Sequence, residues 1–287
     1  MNDAVPPAGV PPRQMPRIDI RGISKRFGRD GTGVAALADF TLSVRDSEFV
    51  ALLGPSGCGK TTVLRMVDGL IRPDAGTLLV SGRPPVPGPE IGFVFQSFRL
   101  IPWSSVRGNV EFALSATGLS AAERRERADR YIALVGLTRF AEAYPHELSG
   151  GMKQRAALAR ALACEPGILL MDEPFASIDA QTRELMQIEL MRIWMRTRPV
   201  VLFVTHSVDE AILLSARIVL MSPRPGRVLE VIDVDLPRPR WTYDARAEPR
   251  FIELRKYLWA WIRDLVIGDP SSDFYGRDLG QAPSRGA

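Results

Sequence analysis

The stretch that most constrains this chain is Gly54-Pro55-Ser56-Gly57-Cys58-Gly59-Lys60-Thr61-Thr62, directly after the apolar run Phe49 to Leu53. A glycine, four free positions and Gly-Lys-Thr stand between a run that reads as a buried parallel strand and a run, Thr62 to Val67, that opens a helix. Gly54, Gly57 and Gly59 let backbone wind closely around an anion, with N–H groups turned inward and the positive end of the new helix behind them. Lys60 is then placed to reach β- and γ-phosphates, and Thr61 to reach a magnesium ion. Read as an ordinary glycine-rich turn, the same stretch leaves the offsets of Lys60 and Thr61 unexplained. The loop alone leaves open which nucleotide binds and what its hydrolysis drives.

The 287 residues suffice for one large or two small domains, and a hydrophobic content of 46% is ordinary for a globular protein. No apolar run approaches the ~18 residues that cross a bilayer. The first residues have neither the basic head nor the apolar centre of a secretory signal, so the expected location is the cytosol. Two cysteines, Cys58 and Cys164, make no disulfide framework. A formal charge of +4, spread along the chain, does not point to nucleic acid as a partner.

Residues 1–16 are proline-rich and poor in large apolar side chains, as in a disordered tail. Arg17 to Val44 alternates in short runs that predict antiparallel strands around a turn-rich break at Gly28 to Gly33. Phe27, just before the break, fits an adenine platform or plain core equally well. Thr77 to Val80 and Ile91 to Phe95 read as strands, the second ending at Gln96, whose amide could bond a metal or a water. Glu111 to Leu119 and Ala121 to Val135 read as helices of an insertion between two strands, preceded by the greasy loop Ser97 to Trp103.

Leu148-Ser149-Gly150-Gly151-Met152-Lys153-Gln154-Arg155 opens an alanine-rich helix with Ser149 as N-cap, and the glycines leave its first N–H groups open to a second anion. Ile168 to Met171 is a buried strand ending in Asp172-Glu173. Adjacent side chains on a strand point opposite ways, so Asp172 suits the surroundings of a magnesium ion and Glu173 the attacking water. Asp179 lies in the next turn, and Leu185, Ile188, Met191 and Met195 mark one helix stripe. Val200 to Val204 is a strand closed by Thr205-His206, where a neutral imidazole could meet a γ-phosphate. Arg217 to Met221 and Val228 to Val234 read as late strands. Phe251 to Ile267 reads as an amphipathic helix, with Phe251, Leu254, Leu258, Trp261 and Leu265 on one face and packing on the core as its default; the last ~20 residues read as frayed.

Taken in this order, these motifs resemble the ATP-binding cassette family over about residues 17–240. The resemblance implies an α/β fold: a P-loop NTPase core with a mixed, mainly parallel sheet, an N-terminal antiparallel β subdomain and a helical insertion at about 97–145. Residues 241–287 would form a C-terminal helical extension. It also implies two cassettes that sandwich two ATP molecules head to tail. Phe27 would stack on adenine, and Gly54, Pro55, Ser56, Gly57, Cys58, Gly59, Lys60, Thr61 and Thr62 would line the phosphate site. Thr61, Gln96 and Asp172 would serve Mg2+. Glu173 would be the general base, His206 the γ-phosphate sensor and Asp179 a coupling residue. Ser149, Gly150 and Gly151 would complete the site of the second copy. Lys153 and Ile178 are mild departures from the family's usual residues.

Leu100-Ile101-Pro102-Trp103, Ser222-Pro223-Arg224-Pro225-Gly226-Arg227 and Leu236-Pro237-Arg238-Pro239-Arg240 are similar to the ATPases of nitrate, sulfonate and taurine importers. That likeness implies transmembrane permease subunits as partners, with a short helix of theirs received near Gln96 and the insertion. A solute-binding protein follows indirectly, as does a location on the cytoplasmic face of the plasma membrane. A soluble cassette acting on nucleic acid or ribosomes remains the alternative, although this chain shows neither paired cassettes nor a long coiled-coil insertion. A small-molecule phosphotransferase would leave Ser149 to Gly151 and His206 unexplained.

Overall fold

The computed structural model describes residues 16–28, 33–270 and 272–277. Residues 1–15, most of the expected N-terminal tail, lie outside it, as do residues 29–32 of the turn-rich break and the last ten residues of the expected frayed end. Two sheets carry the architecture. The smaller is antiparallel, in the order β2-β1-β4, built from β1 (Ile18–Phe27), β2 (Val34–Val44) and β4 (Ala75–Val80).

The larger sheet runs β5-β6-β7-β3-β8-β9. It comprises β3 (Phe49–Leu53), β5 (Ile91–Val94), β6 (Ile168–Asp172), β7 (Val200–Val204), β8 (Arg217–Met221) and β9 (Val228–Asp233). Pairing is parallel throughout except for β8 with β9. Strands β3, β6 and β7 are buried at every position, as a parallel sheet covered on both faces demands, and their sequences are near-continuous apolar runs for that reason.

Helices α1 (Lys60–Val67), α4 (Gly150–Ala163), α5 (Ala180–Thr197) and α6 (Val208–Leu214) connect these strands. Between β5 and β6 sits the insertion, α2 (Val106–Leu114) and α3 (Ala121–Leu134), packed on α4. Helix α3 starts in a capping box between Ser120 and Glu123, which satisfies free N–H groups of its first turn. Helix α2 begins five residues earlier than the expected Glu111. Ser105 accepts a hydrogen bond from the Gly108 N–H as its N-cap, and a short 3-10 turn, Ser115–Thr117, occupies the rest of the expected span.

The stripe expected on α5 is shifted. Leu185 is 65% exposed, whereas Met186, Leu190, Met191 and Trp194 are buried. Trp194 decides this: its ring meets Phe49 edge-on at 6.0 Å and its indole N–H donates to Pro199 O at 3.0 Å, rotating the helix by one position. Helix α7 (Pro249–Ile267) does pack on the core by its first half. Phe251, Leu254 and Leu258 are buried in the main apolar cluster, while Trp261 and Leu265 are only half-buried. Among the described residues, no helix is long and apolar enough to cross a membrane.

Helix α1 ends at Asp68, where the carboxyl is buried against the negative end of the helix. Burial pushes it from the usual 3.8 up to about 6. A carboxyl raised on folding adds stability below its unfolded value, and that stability is lost as pH rises through about 6. Asp68→Asn should therefore raise the Tm at pH 8 and leave it nearly unchanged at pH 4, and thermal melts at the two pH values check this.

Candidate functional site

In an open parallel sheet the carboxyl ends of the strands share one edge, and a ligand can meet residues from several loops there. Here that edge carries the loop after β3, Gln96 after β5, Asp172-Glu173 at the end of β6 and Thr205-His206 after β7. Of these, the phosphate loop, Gln96, Glu173 and His206 line a cleft of about 510 Å³ with Phe27, Val34 and Ala36 from the antiparallel sheet, while Asp172 and Thr205 are buried and do not line it.

The phosphate loop is held from within. The Lys60 ammonium is buried and donates to the carbonyls of Gly54 and Pro55, both at 2.7 Å, with Cys58 Sγ at 3.7 Å. Gly59 takes φ 99° at the N-cap of α1, and a Cβ there would come within 2.8 Å of the Ala36 carbonyl, so no other residue fits without moving β2. Ser56, Gly57, Gly59, Lys60, Thr61 and Thr62 face the cleft. Gly54, Pro55 and Cys58 do not line it, contrary to the reading of the whole stretch as a lining. Their carbonyls and thiol face Lys60 instead, because a buried ammonium must be given acceptors.

Opposite the loop, three side chains converge on one oxygen. Glu173 Oε2 accepts from His206 Nε2 at 2.7 Å and from Gln96 Nε2 at 3.2 Å. The proton of a neutral His206 is therefore on Nε2. Strand alternation is not what aims Glu173. Strand β6 ends at Asp172, and Glu173 has φ 51°, a left-handed conformation that is costly for a side chain of this kind. Its N–H is anchored on Val204 O at 3.0 Å, so the neighbouring strand holds the strained residue in place.

Asp172 is buried, and burial foremost pushes its carboxyl above the usual carboxylate range, with Thr61 beside it acting the other way. Its Oδ1 lacks a hydrogen-bond partner. A buried carboxylate oxygen with no donor, next to a threonine hydroxyl, is a donor set that a divalent cation fits.

Ser149, Gly150, Gly151 and Asp179 lie outside the cleft. Ser149 caps α4 by accepting from Met152 N at 3.3 Å, and Asp179 caps α5 by accepting from Thr182 N at 2.9 Å. The two caps are neighbours, since a Cβ on Gly151 would come within 3.1 Å of Ser177 O. This chain thus holds a triphosphate-sized cleft and, apart from it, an exposed, capped helix start.

A family model described as ABC transporter matches residues 37–176. The chain is 50% identical over 245 residues to an ATP-binding protein of Brucella abortus, covering 85% of this chain and 92% of that protein. The chain belongs to the ABC transporter family. The nitrate import ATP-binding protein of Synechocystis sp. is 43% identical over 242 residues, 82% of this chain and 91% of its own. The taurine import ATP-binding protein of Pseudomonas entomophila is 43% identical over 251 residues, with shares of 86% and 96%. Among solved structures, a dimeric ATP-binding cassette in a post-hydrolysis state bound to ADP and Pi superposes with a TM-score of 0.71 at 31% identity, over 77% of this chain and 100% of that one. The cassette described here is thus an ATP-binding subunit with the P-loop NTPase fold.

Three lining residues of this cassette carried no site role in the sequence: Val34 and Ala36 from β2, and Arg224 from the turn after β8. Arg224 is far along the chain from the phosphate loop, and the pairing of β8 beside β3 brings it to the cleft. If Glu173 acts as the general base, Glu173→Gln, which keeps its shape, should lower ATP turnover by about 10²- to 10⁴-fold while nucleotide affinity is kept. Phosphate-release kinetics and equilibrium nucleotide binding on one preparation check both halves.

Proposed function

We propose that this chain is the ATP-hydrolysing subunit of a bacterial importer that takes up a small anion such as nitrate, an aliphatic sulfonate or taurine. The observation that carries the proposal is the separation of the cleft from the capped start of α4. Each is half of a hydrolytic site, and two copies arranged head to tail make both whole. The names of the nitrate and taurine relatives support the solute class and favour import over work on nucleic acid.

In this reading Phe27 stacks on the adenine, and Ser56 to Thr62 cradle the phosphates with backbone N–H groups and Lys60. Mg2+ would be held by Thr61, Gln96 and Asp172, and supplies charge neutralisation between the β- and γ-phosphates. Glu173 takes the proton of the attacking water. His206 and Gln96, both bonded to Glu173 Oε2, orient that carboxylate and meet the γ-phosphate side of the cleft. Ser149, Gly150 and Gly151 of the second copy close over the γ-phosphate, and Asp179 beside them links the two sites. Binding at two interfacial sites and release after hydrolysis drive the closing and opening.

The ATPase domain spans 17–240 with a helical subdomain at about 97–145, and 241–287 carry a C-terminal helical extension and a tail. The greasy loop before α2 provides the contact with permease subunits. Asn109, fully buried, ties the loop down by accepting from Ile101 N at 2.7 Å and donating to Ser104 O at 3.0 Å. Leu100 is tucked against the core, yet Trp103 remains 80% exposed and Phe112 64% exposed. Trp103 and Phe112 line a groove of about 610 Å³ with Ile101, Gly108, Glu111 and Arg124, and this groove is to receive the permease helix. Docked there, the cassette sits on the cytoplasmic face of the inner membrane, served at one remove by a solute-binding protein.

Ser149→Arg should cost about 1 kcal/mol of stability through the lost cap and leave nucleotide binding by one subunit intact. It should also prevent the ATP-induced dimer of the Glu173→Gln protein in light scattering. A dimer of unchanged mass would remove the sandwich. Trp103→Glu touches no core and should change stability by less than about 0.5 kcal/mol. It should abolish co-purification with the permease subunits, and undiminished co-purification would move the docking surface elsewhere.

A further inference from the structure

The turn between β8 and β9 is built against the nucleotide cleft. Gly226 N–H donates to Ala36 O at 2.9 Å, Gly226 O accepts from Ala38 N at 3.1 Å, and a Cβ on Gly226 would fall 1.9 Å from the Cys58 carbonyl. The turn is therefore wedged between β2 and the phosphate loop, and only glycine allows so close an approach. Ser222 braces it from inside, donating to the carbonyls of Pro223 and Pro225 at 2.9 and 3.0 Å and accepting from Arg227 N at 2.9 Å.

The rigid turn carries an exposed arginine at its tip. Arg224 Nε donates to Gly57 O at 3.2 Å, its Nη2 lies 2.8 Å from where a Gly57 Cβ would stand, and the side chain lines the cleft with Lys60, Thr61 and Glu173. Among the described residues no carboxylate pairs with it. A guanidinium has five N–H donors in a planar fork, so one bond to a carbonyl leaves most of them free. Among the described residues, Lys60 is the other Lys or Arg lining this cleft, and its ammonium already has two carbonyl partners.

We propose that Arg224 is a nucleotide-binding residue whose guanidinium takes the phosphate chain from the β8 side of the sheet. The strand order puts it across the phosphate loop from Gln96 and Glu173, which come from β5 and β6. The two groups therefore face the phosphates from different sides: Glu173 and its partners at the hydrolysed end, Arg224 along the loop. The bond to Gly57 O holds the fork at the lip of the cleft, and a planar charged donor there matches a phosphate oxygen pair.

The inference rests on the reading of this cleft as the ATP site, and the experiment separates the two. Equilibrium binding of a fluorescent ATP analogue and of its diphosphate would be measured for the wild type, Lys60→Ala, Arg224→Ala, Arg224→Gln and Arg224→Lys, at low and high salt, with thermal melts alongside. A direct phosphate contact predicts a loss of about ten- to a hundredfold for Arg224→Ala, the size of a charge-assisted hydrogen bond. It also predicts a shallower salt dependence, partial recovery by Arg224→Lys and none by Arg224→Gln. Wild-type affinity in Arg224→Ala overturns the inference while leaving the site in place. Full recovery by the neutral Arg224→Gln also overturns it, since that side chain keeps only the Gly57 hydrogen bond. A wild type that binds no nucleotide, or binds as Lys60→Ala does, would instead remove the reading of the cleft.

Discussion

Two hydrogen bonds from a buried ammonium hold the centre of this molecule. Lys60 has its charge away from water and must be given acceptors, and the carbonyls of Gly54 and Pro55 supply them at 2.7 Å. Satisfying them curls the loop around the lysine and sets the start of α1 at the cleft, with Gly59, Lys60, Thr61 and Thr62 among its lining. The close approach of β2 at Gly59 and of the β8–β9 turn at Cys58 then clamps the loop from outside, at distances only glycines tolerate. The phosphate-binding geometry is thus a property of three segments far apart in the chain.

The sheet does the same for the chemistry. Because β5, β6, β7 and β3 are parallel neighbours, their carboxyl ends meet at one edge, and Gln96, Glu173, His206 and the phosphate loop converge without a long loop being needed. Glu173 is one of several residues with a left-handed backbone, and there β7 anchors its N–H. Two donors, His206 and Gln96, share its Oε2 and restrain the carboxylate's orientation.

The helical insertion stands apart from that edge and has a different construction. Buried Asn109 and Arg160, which donates to the carbonyls of Phe98 and Arg99 at 3.1 and 2.5 Å, tie the loop after Gln96 to α2 and α4. A push on the exposed Trp103 side of that loop would be carried to Gln96 and to α4. Packed elements with discrete contacts are how such movements are passed between sites.

The sequence by itself determined the α/β class, the phosphate loop, the three strand-end residues and the capped start of α4, because each depends on local spacing: glycines at fixed offsets, apolar runs of strand length, Ser149 before two glycines. It placed α2 too late, since Ser105 is a weak cap signal beside the apolar run of Glu111 to Leu114, and it turned the α5 stripe by one residue, since the anchoring contact of Trp194 with Phe49 is long-range. The assignment of Gly54, Pro55 and Cys58 away from the cleft, the aim of Glu173 and the presence of Arg224 in the cleft were decided only by the tertiary structure. Each depends on which strands are neighbours and on where a buried charge finds its acceptors, and neither is written in the spacing of residues along the chain.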